Sequence, residues 1–139
     1  MGSIPVVEKK YFYNRLFVVY NDQIQYYDKR HLFSMANEDQ TYSSGNSTII
    51  IEHKGWKIMP LICYDLRFPV WSRNHVQDKS YKYDILIYVA NWPAKRSSAW
   101  VDLLKARAIE NSCYTFGVNR VGTDGNHVHY NGQSRTFDF

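Results

Sequence analysis

The run Asp84-Ile85-Leu86-Ile87-Tyr88-Val89-Ala90 constrains this chain more than any other stretch. It is apolar almost without a break, the mark of a strand covered on both faces. Shortly after it, Ser97 or Ser98 can cap a helix that runs to about Asn111, with Trp100, Leu103, Leu104, Ala108 and Ile109 on one side. Cys113 to Val118 reads as the next buried strand. Strand, helix and strand at this spacing make a βαβ unit, so the second half of the chain is α/β with parallel strands.

The first half reads as β-rich. Tyr11 to Tyr20 is a strand, Asn21-Asp22-Gln23 turns it, and Ile24 to Tyr27 returns as a hairpin. Thr48 to Glu52 and Trp56 to Ile62 flank His53-Lys54-Gly55 as a second hairpin. Between them, Asp28 to Tyr42 is polar and irregular, with Lys29, Arg30, His31, Glu38 and Asp39 crowded together. A loop so dense in charge points to function rather than core. Ser43-Ser44-Gly45-Asn46 is a turn cluster, and Gly122-Thr123-Asp124-Gly125-Asn126 a loop. His129-Tyr130 and Arg135 to Phe139 are expected to form a last hairpin around Asn131-Gly132. Both ends read as cut from something larger, so residues 1–139 are expected to be part of one domain.

Composition narrows the class. With 139 residues, 45% apolar and 22% charged, the chain is expected to be soluble and to bury a real core. Seventeen basic against 13 acidic side chains leave +4. The basic residues are scattered, not interleaved with aromatics in one block, so no nucleic-acid partner is expected. Two cysteines, Cys63 and Cys113, are too few for a disulfide framework and are read as reduced, which suits a cytoplasmic protein. Met1 to Lys10 lacks the basic start and apolar stretch of a signal peptide. No apolar run approaches the roughly 20 residues that cross a bilayer, so no membrane partner is expected.

Cys63 is the residue with chemistry to offer. It stands where the apolar run Ile58-Met59-Pro60-Leu61-Ile62 meets Tyr64-Asp65-Leu66-Arg67-Phe68-Pro69. A strand running into a Pro-led segment predicts a tight bend and a helix start, which thrusts the side chain toward a pocket. Turn amides there favour a thiolate, the nucleophilic form. The plainer reading is a small apolar side chain at a strand end.

Three elements decide between them: Asp28-Lys29-Arg30-His31-Leu32-Phe33, Leu61 to Pro69, and Val89-Ala90-Asn91-Trp92-Pro93. Together they resemble the nitrilase superfamily of carbon–nitrogen hydrolases, and within it the ω-amidase-like branch. A Lys in a Y-x-K-x-H-L loop, then some thirty-odd residues later a Cys in C-Y-D-x-R-F-P, is that family's pattern. The A-N-W-P element and Ala106 to Asn111 (A-R-A-I-E-N) match as well, so the resemblance spans essentially the whole chain.

The resemblance implies an αββα sandwich, of which this chain supplies about the middle half. It implies Cys63 as nucleophile, Lys29 as the ammonium that holds the thiolate and the oxyanion, and Glu38 as a supporting carboxylate of the catalytic group. The N–H of Tyr64 is a second oxyanion donor on the same reading. Arg67 is expected either to pair with Asp65 or to bind a substrate carboxylate. Asn91 and Trp92, at a buried strand end, are expected to line the pocket, with core packing as the rival for Trp92. The family's general base is a Glu several tens of residues before the Lys. Glu8 is the acidic residue far upstream here, and its surroundings do not match, so the base is expected to be missing from this chain.

The implied reaction cleaves a small linear amide, a dicarboxylate monoamide such as 2-oxoglutaramate, through a thioester, with no cofactor and no metal. The alternatives are an impaired fragment or scaffold, or a relative that cuts a nitrile or carbamoyl group. A homodimer is expected. His127 and His129 lack a third ligand at metal-site spacing. His31 as a Cys–His partner is second to Lys29.

Overall fold

In the computed structural model, which describes residues 1–77 and 79–139, the chain opens with an antiparallel meander. Its strands are β1 (Gly2–Glu8), β2 (Tyr11–Tyr20) and β3 (Gln23–Asp28), in the order β1-β2-β3. The turn from β2 to β3 is Asn21-Asp22, at φ 45° and 59°. Two residues with positive φ twist the way a hairpin needs, and Asn-Asp tolerates that region. β1 is an addition to the expected elements. It carries Pro5 on a sheet edge, where a missing N–H costs nothing, and it joins β2 through Lys9-Lys10, which has no turn signature.

The charged loop that follows holds a 3₁₀ turn at Ser34–Ala36 and one helical turn, α1 (Glu38–Thr41). Next come β4 (Ile51–His53) and β5 (Trp56–Ile62), joined through Lys54-Gly55 at φ 50° and 83°. β4 is shorter than expected: Thr48 to Ile50 lie outside it. After β5 the chain forms a 3₁₀ turn at Cys63–Arg67 and a small ribbon, β6 (Val76–Gln77) and β7 (Ser80–Tyr81). Then follow β8 (Ile85–Ala90), α2 (Ser97–Asn111) and β9 (Tyr114–Asn119), the expected βαβ unit.

The last strands are β10 (Val121–Thr123), β11 (His129–Asn131) and β12 (Arg135–Phe137). Here the expected hairpin is corrected. β11 pairs back onto β10, whereas β12 leaves it and pairs with β9. Phe137 thereby packs against the core, and the open flank of β9 is covered.

The main sheet has the order β12-β9-β8-β5-β4, with β5, β8 and β9 parallel and both flanks antiparallel. α2 covers one face. Gly117 lies so close beneath Trp100 and Leu104 that a Cβ there would meet them at 2.7 and 2.3 Å. On the other face, the meander brings Leu16, Val18 and Tyr27 into the same core as Ile51, Ile62 and Val89. Helix, sheet and sheet are three of the four layers of the expected αββα arrangement.

α2 buries Trp100, Leu104 and Ala108 as expected, but Ile109 is exposed. One residue past Ala108 is a 100° turn away from the buried stripe. Arg107 takes the place on that stripe, buried, with Nη2 donating to the Leu66 carbonyl at 2.6 Å and Nη1 to Glu110 Oε1 at 2.9 Å.

Candidate active site

The carboxyl ends of the three parallel strands carry the site, as open α/β sheets do. Cys63 follows β5, Asn91 follows β8, and Asn119 ends β9. Cys63 has φ 44°, in the left-handed region that a β-substituted residue enters at a cost of roughly 1–2 kcal/mol. The chain therefore breaks sharply just past the last residue of β5, and Cys63 lines a cavity of about 490 Å³ together with Lys29, Glu38 and Asn91. Its Sγ lies 3.9 Å from the Asn91 carbonyl oxygen.

Lys29 reaches the cavity from the end of β3. Its N–H donates to the Asn14 carbonyl at 2.9 Å, and its own carbonyl accepts from Gly45 N–H at 2.9 Å. The ammonium is buried and donates to Glu38 Oε2 at 2.5 Å. The same carboxylate accepts from Phe33 N–H at 2.7 Å, and its other oxygen from Asn14 Nδ2 at 2.9 Å. Burial pushes the Glu38 carboxyl up. The Lys29 charge and the Lys29, Asn14 and Phe33 hydrogen bonds outweigh it and hold the group below its ordinary value. Glu38 is thus an anion committed to Lys29.

Opposed influences act on the thiol. Burial pushes Cys63 up; the Lys29 ammonium and the Asn91 carbonyl contact pull it down, Glu38 and Asp65 oppose them, and burial wins. Burial thus favours the thiol over the anion that the turn amides were expected to favour. Attack then requires a base at the moment of reaction. Glu8 is no such base: it bonds Arg15 Nη2 at 2.9 Å on the outer face of the meander, half exposed.

The other expected residues divide. Asn91 lines the cavity. The Trp92 ring does not: it is buried against Trp100, centroids 5.3 Å apart, and its Nε1 donates to the Arg96 carbonyl at 2.8 Å. Core packing is the better account of that side chain. The main chain of Trp92 is clasped by Asn119, whose Oδ1 accepts from its N–H at 2.7 Å and whose Nδ2 donates to its carbonyl at 3.0 Å. Arg67 does not pair with Asp65. It is exposed, its guanidinium 5.3 Å from the centroid of the Trp92 ring. The Tyr64 ring packs edge-on against Phe33 and Phe68, which leaves its main-chain N–H as its relevant group.

His31 is outside the cavity lining and forms no Cys–His pair. Its ring stacks on Phe68 at 3.7 Å, and Nδ1 faces Asp65 Oδ1 at 2.8 Å. His127 and His129 are in no metal cluster: among the described residues, no group of three or more His, Cys, Asp or Glu stands together as one. No helix among them is long and apolar enough to cross a membrane. Both cysteines are free, and burial pushes Cys113 up to about 11.

Sequence reasoning missed Asn14 and Asn126, which also line the cavity. Asn14 had a signal. It shares the inward parity of Leu16 and Val18, a polar residue on an apolar strand face. Asn126 had none, because the turn that Asp124 ties together aims it: Asp124 Oδ1 accepts from the N–H groups of Asn126 and Val128.

The fold is that of the carbon–nitrogen hydrolases, and the chain belongs to that family, which matches residues 1–139. It is 52% identical to the omega-amidase YafV of Escherichia coli over 99% of its own length and 52% of that protein's. It is 36% identical to a 2-oxoglutaramate amidase of Bacillus subtilis, covering 88% of this chain and 47% of that one. Among solved structures, a CN-hydrolase superfamily protein of Xanthomonas campestris with an arsenic adduct in its active site superposes with a TM-score of 0.95. That protein is 46% identical, over 99% of this chain and 53% of the other. The chain thus spans about half the length of the relatives it matches.

Proposed function

We propose that this chain carries the nucleophile half of an ω-amidase, a hydrolase of dicarboxylate monoamides such as 2-oxoglutaramate. One observation carries the reading: a strained strand-end thiol and a buried ammonium–carboxylate pair line the same cavity. Cys63 Sγ attacks the amide carbon as its proton passes to a general base. The oxyanion is held by the Lys29 ammonium and the Tyr64 N–H. The C–N bond breaks as the base returns the proton to nitrogen, and ammonia leaves. Water then cleaves the thioester and frees the carboxylate.

Glu38 keeps Lys29 in place and is not the base, since it is already bound to the ammonium. The base is assigned to a Glu in the remainder of the relatives' length. Asn91 and the exposed Arg67 are the candidate contacts for the rest of the substrate. A single domain, a cytoplasmic location and a homodimer belong to the same reading, the last checked by sedimentation.

The test is ammonia release from a panel of short ω-amides, nitriles and carbamoyl compounds, by the chain alone and joined to the remaining length of a relative. The joined protein should prefer ω-amides, and Cys63→Ala should lose at least about a thousandfold in turnover. An alanine variant with normal turnover would end the nucleophile assignment. The outward position of Glu8 favours a second reading, a scaffold without turnover. In that case joining restores nothing.

A further inference from the structure

Asp65 is fully buried two residues past the nucleophile, and the reaction just outlined gives it no task. Its two oxygens collect four donors. Oδ2 accepts from the Tyr27 hydroxyl at 2.8 Å and from Ile62 N–H, at the foot of the Cys63 turn, at 3.1 Å. Oδ1 accepts from His31 N–H at 2.9 Å and faces His31 Nδ1 at 2.8 Å. A carboxylate only accepts, so that ring nitrogen carries the hydrogen. Tyr27 and His31 bracket Lys29 in the chain.

The bracket is tight. The Tyr27 oxygen also accepts from Arg30 N–H at 3.1 Å and from Trp71 Nε1 at 3.0 Å. With Lys29 N–H on Asn14, the amides of residues 29, 30 and 31 are all held. The His31 ring is clamped on Phe68, within the segment that follows Cys63. The two segments that present the thiol and the ammonium are thus tied through one side chain.

We propose that Asp65 is a positioning residue: it braces the Lys29 segment against the Cys63 turn, so that the ammonium faces the sulfur. The proposal rests on the Lys29–Cys63 pairing of the preceding section. It makes a signed claim. The negative charge of Asp65 by itself disfavours a Cys63 thiolate, so neutralising it should make the thiol more acidic. If the brace dominates, the same change releases Lys29 and makes the thiol less acidic. Asparagine breaks the brace because one of its two polar atoms becomes an NH₂ that must face the N–H of His31 or of Ile62.

The experiment is iodoacetamide alkylation of the 139-residue protein between pH 6.5 and 9.5, with Cys63 and Cys113 followed separately by mass spectrometry. Cys113 is buried, so it stays unreactive while the fold holds and reports any opening. In Asp65→Asn, Cys63 alkylation at pH 7.5 should slow roughly tenfold, with the rising rate–pH profile displaced by about one unit to higher pH. Tyr27→Phe, which removes one donor, should slow it about two- to threefold. In a Lys29→Met background, Asp65→Asn should give no further slowing, because nothing is left to position. Cys63 reacting at the original rate or faster in Asp65→Asn, with Cys113 still protected, overturns the brace. Should Asp65→Asn expose Cys113, Tyr27→Phe and His31→Ala decide: slowing supports the brace and an unchanged rate overturns it. If Lys29→Met alone leaves the profile unmoved, the Lys29–Cys63 pairing fails and the brace with it. If Lys29→Met slows the reaction and Asp65→Asn does not, only the brace fails.

Discussion

Gly45→Ala is the most incisive single substitution outside the cavity. Its glycine is required by a close approach, not by a left-handed backbone. A Cβ there would stand 2.2 Å from the Asp28 carbonyl oxygen, 2.8 Å from its carbon and 2.9 Å from its Cβ. Ordinary carbon–oxygen contacts begin near about 3.3 Å, so the two segments must part by about 1 Å. The obstructing atoms include main chain, which cannot swing aside as a side-chain tip can. Two links cross this seam: Gly45 N–H to the Lys29 carbonyl at 2.9 Å, and Arg30 Nη1 to the Gly45 carbonyl at 3.0 Å. Overpacking of this kind costs about 1–3 kcal/mol, and a weakened main-chain hydrogen bond adds about 1 kcal/mol. For a chain of this size that is a fall in Tm of roughly 6–16 °C.

The larger effect is at the site, because Asp28 precedes Lys29 directly. A displacement of about 1 Å in a positioning group lowers turnover by about a hundredfold. Gly117→Ala is the matched contrast. Its Cβ would press on Leu104 and Trp100 at 2.3 and 2.7 Å, under α2 and far along the chain from Lys29. Thermal melts, Cys63 alkylation and ammonia release by the joined protein should separate the two. Both variants lose stability, and only Gly45→Ala loses thiol reactivity and turnover out of proportion. A Gly45→Ala protein that melts near the original temperature with unchanged Cys63 reactivity would refute the reasoning, as would an equal loss of reactivity in both.

Glu38→Gln strips the buried Lys29 ammonium of its anion and should destabilise by about 3 kcal/mol near neutral pH, read from melts. Glu38 is held below 4.5, so its contribution is full above the ordinary carboxylate range and disappears as pH falls through the folded value; the gap between the original protein and Glu38→Gln should close in acid. Trp92→Phe should lower Tm through lost packing against Trp100 while KM for ω-amides stays unchanged; a raised KM at constant Tm would return the ring to the pocket.

The sequence was most legible where the signal is local. The unbroken apolar run of β8 announced burial on both faces, and Asn21-Asp22 and Lys54-Gly55 announced their hairpins through residues that accept positive φ. The Cys63 turn was legible because a strand ran directly into a Pro-led segment. Lys29 and Glu38 stood out by family pattern, and the fold brought them into contact. β1 was illegible: an edge strand exposed on both sides shows no alternation, and Lys9-Lys10 turns without the usual residues. The pairing of β12 with β9 is a choice between partners that local pattern does not record. Asp65 read as an ordinary turn residue because its decisive partners, Tyr27 and His31, lie 38 and 34 positions away. What opposes a Cys63 thiolate was not legible, because turn amides are visible in a sequence whereas the depth of the sulfur is not.

The φ of 44° at Cys63 has a corollary for evolution and engineering alike. Glycine is the residue that this backbone would prefer, since it enters the left-handed region without a clash. Replacing the cysteine by glycine should give a sturdier and wholly inert molecule, whereas serine or alanine would inherit the contortion and lose the sulfur. The sulfur proposed to react is thus kept at a hinge point where the main chain resents any side chain.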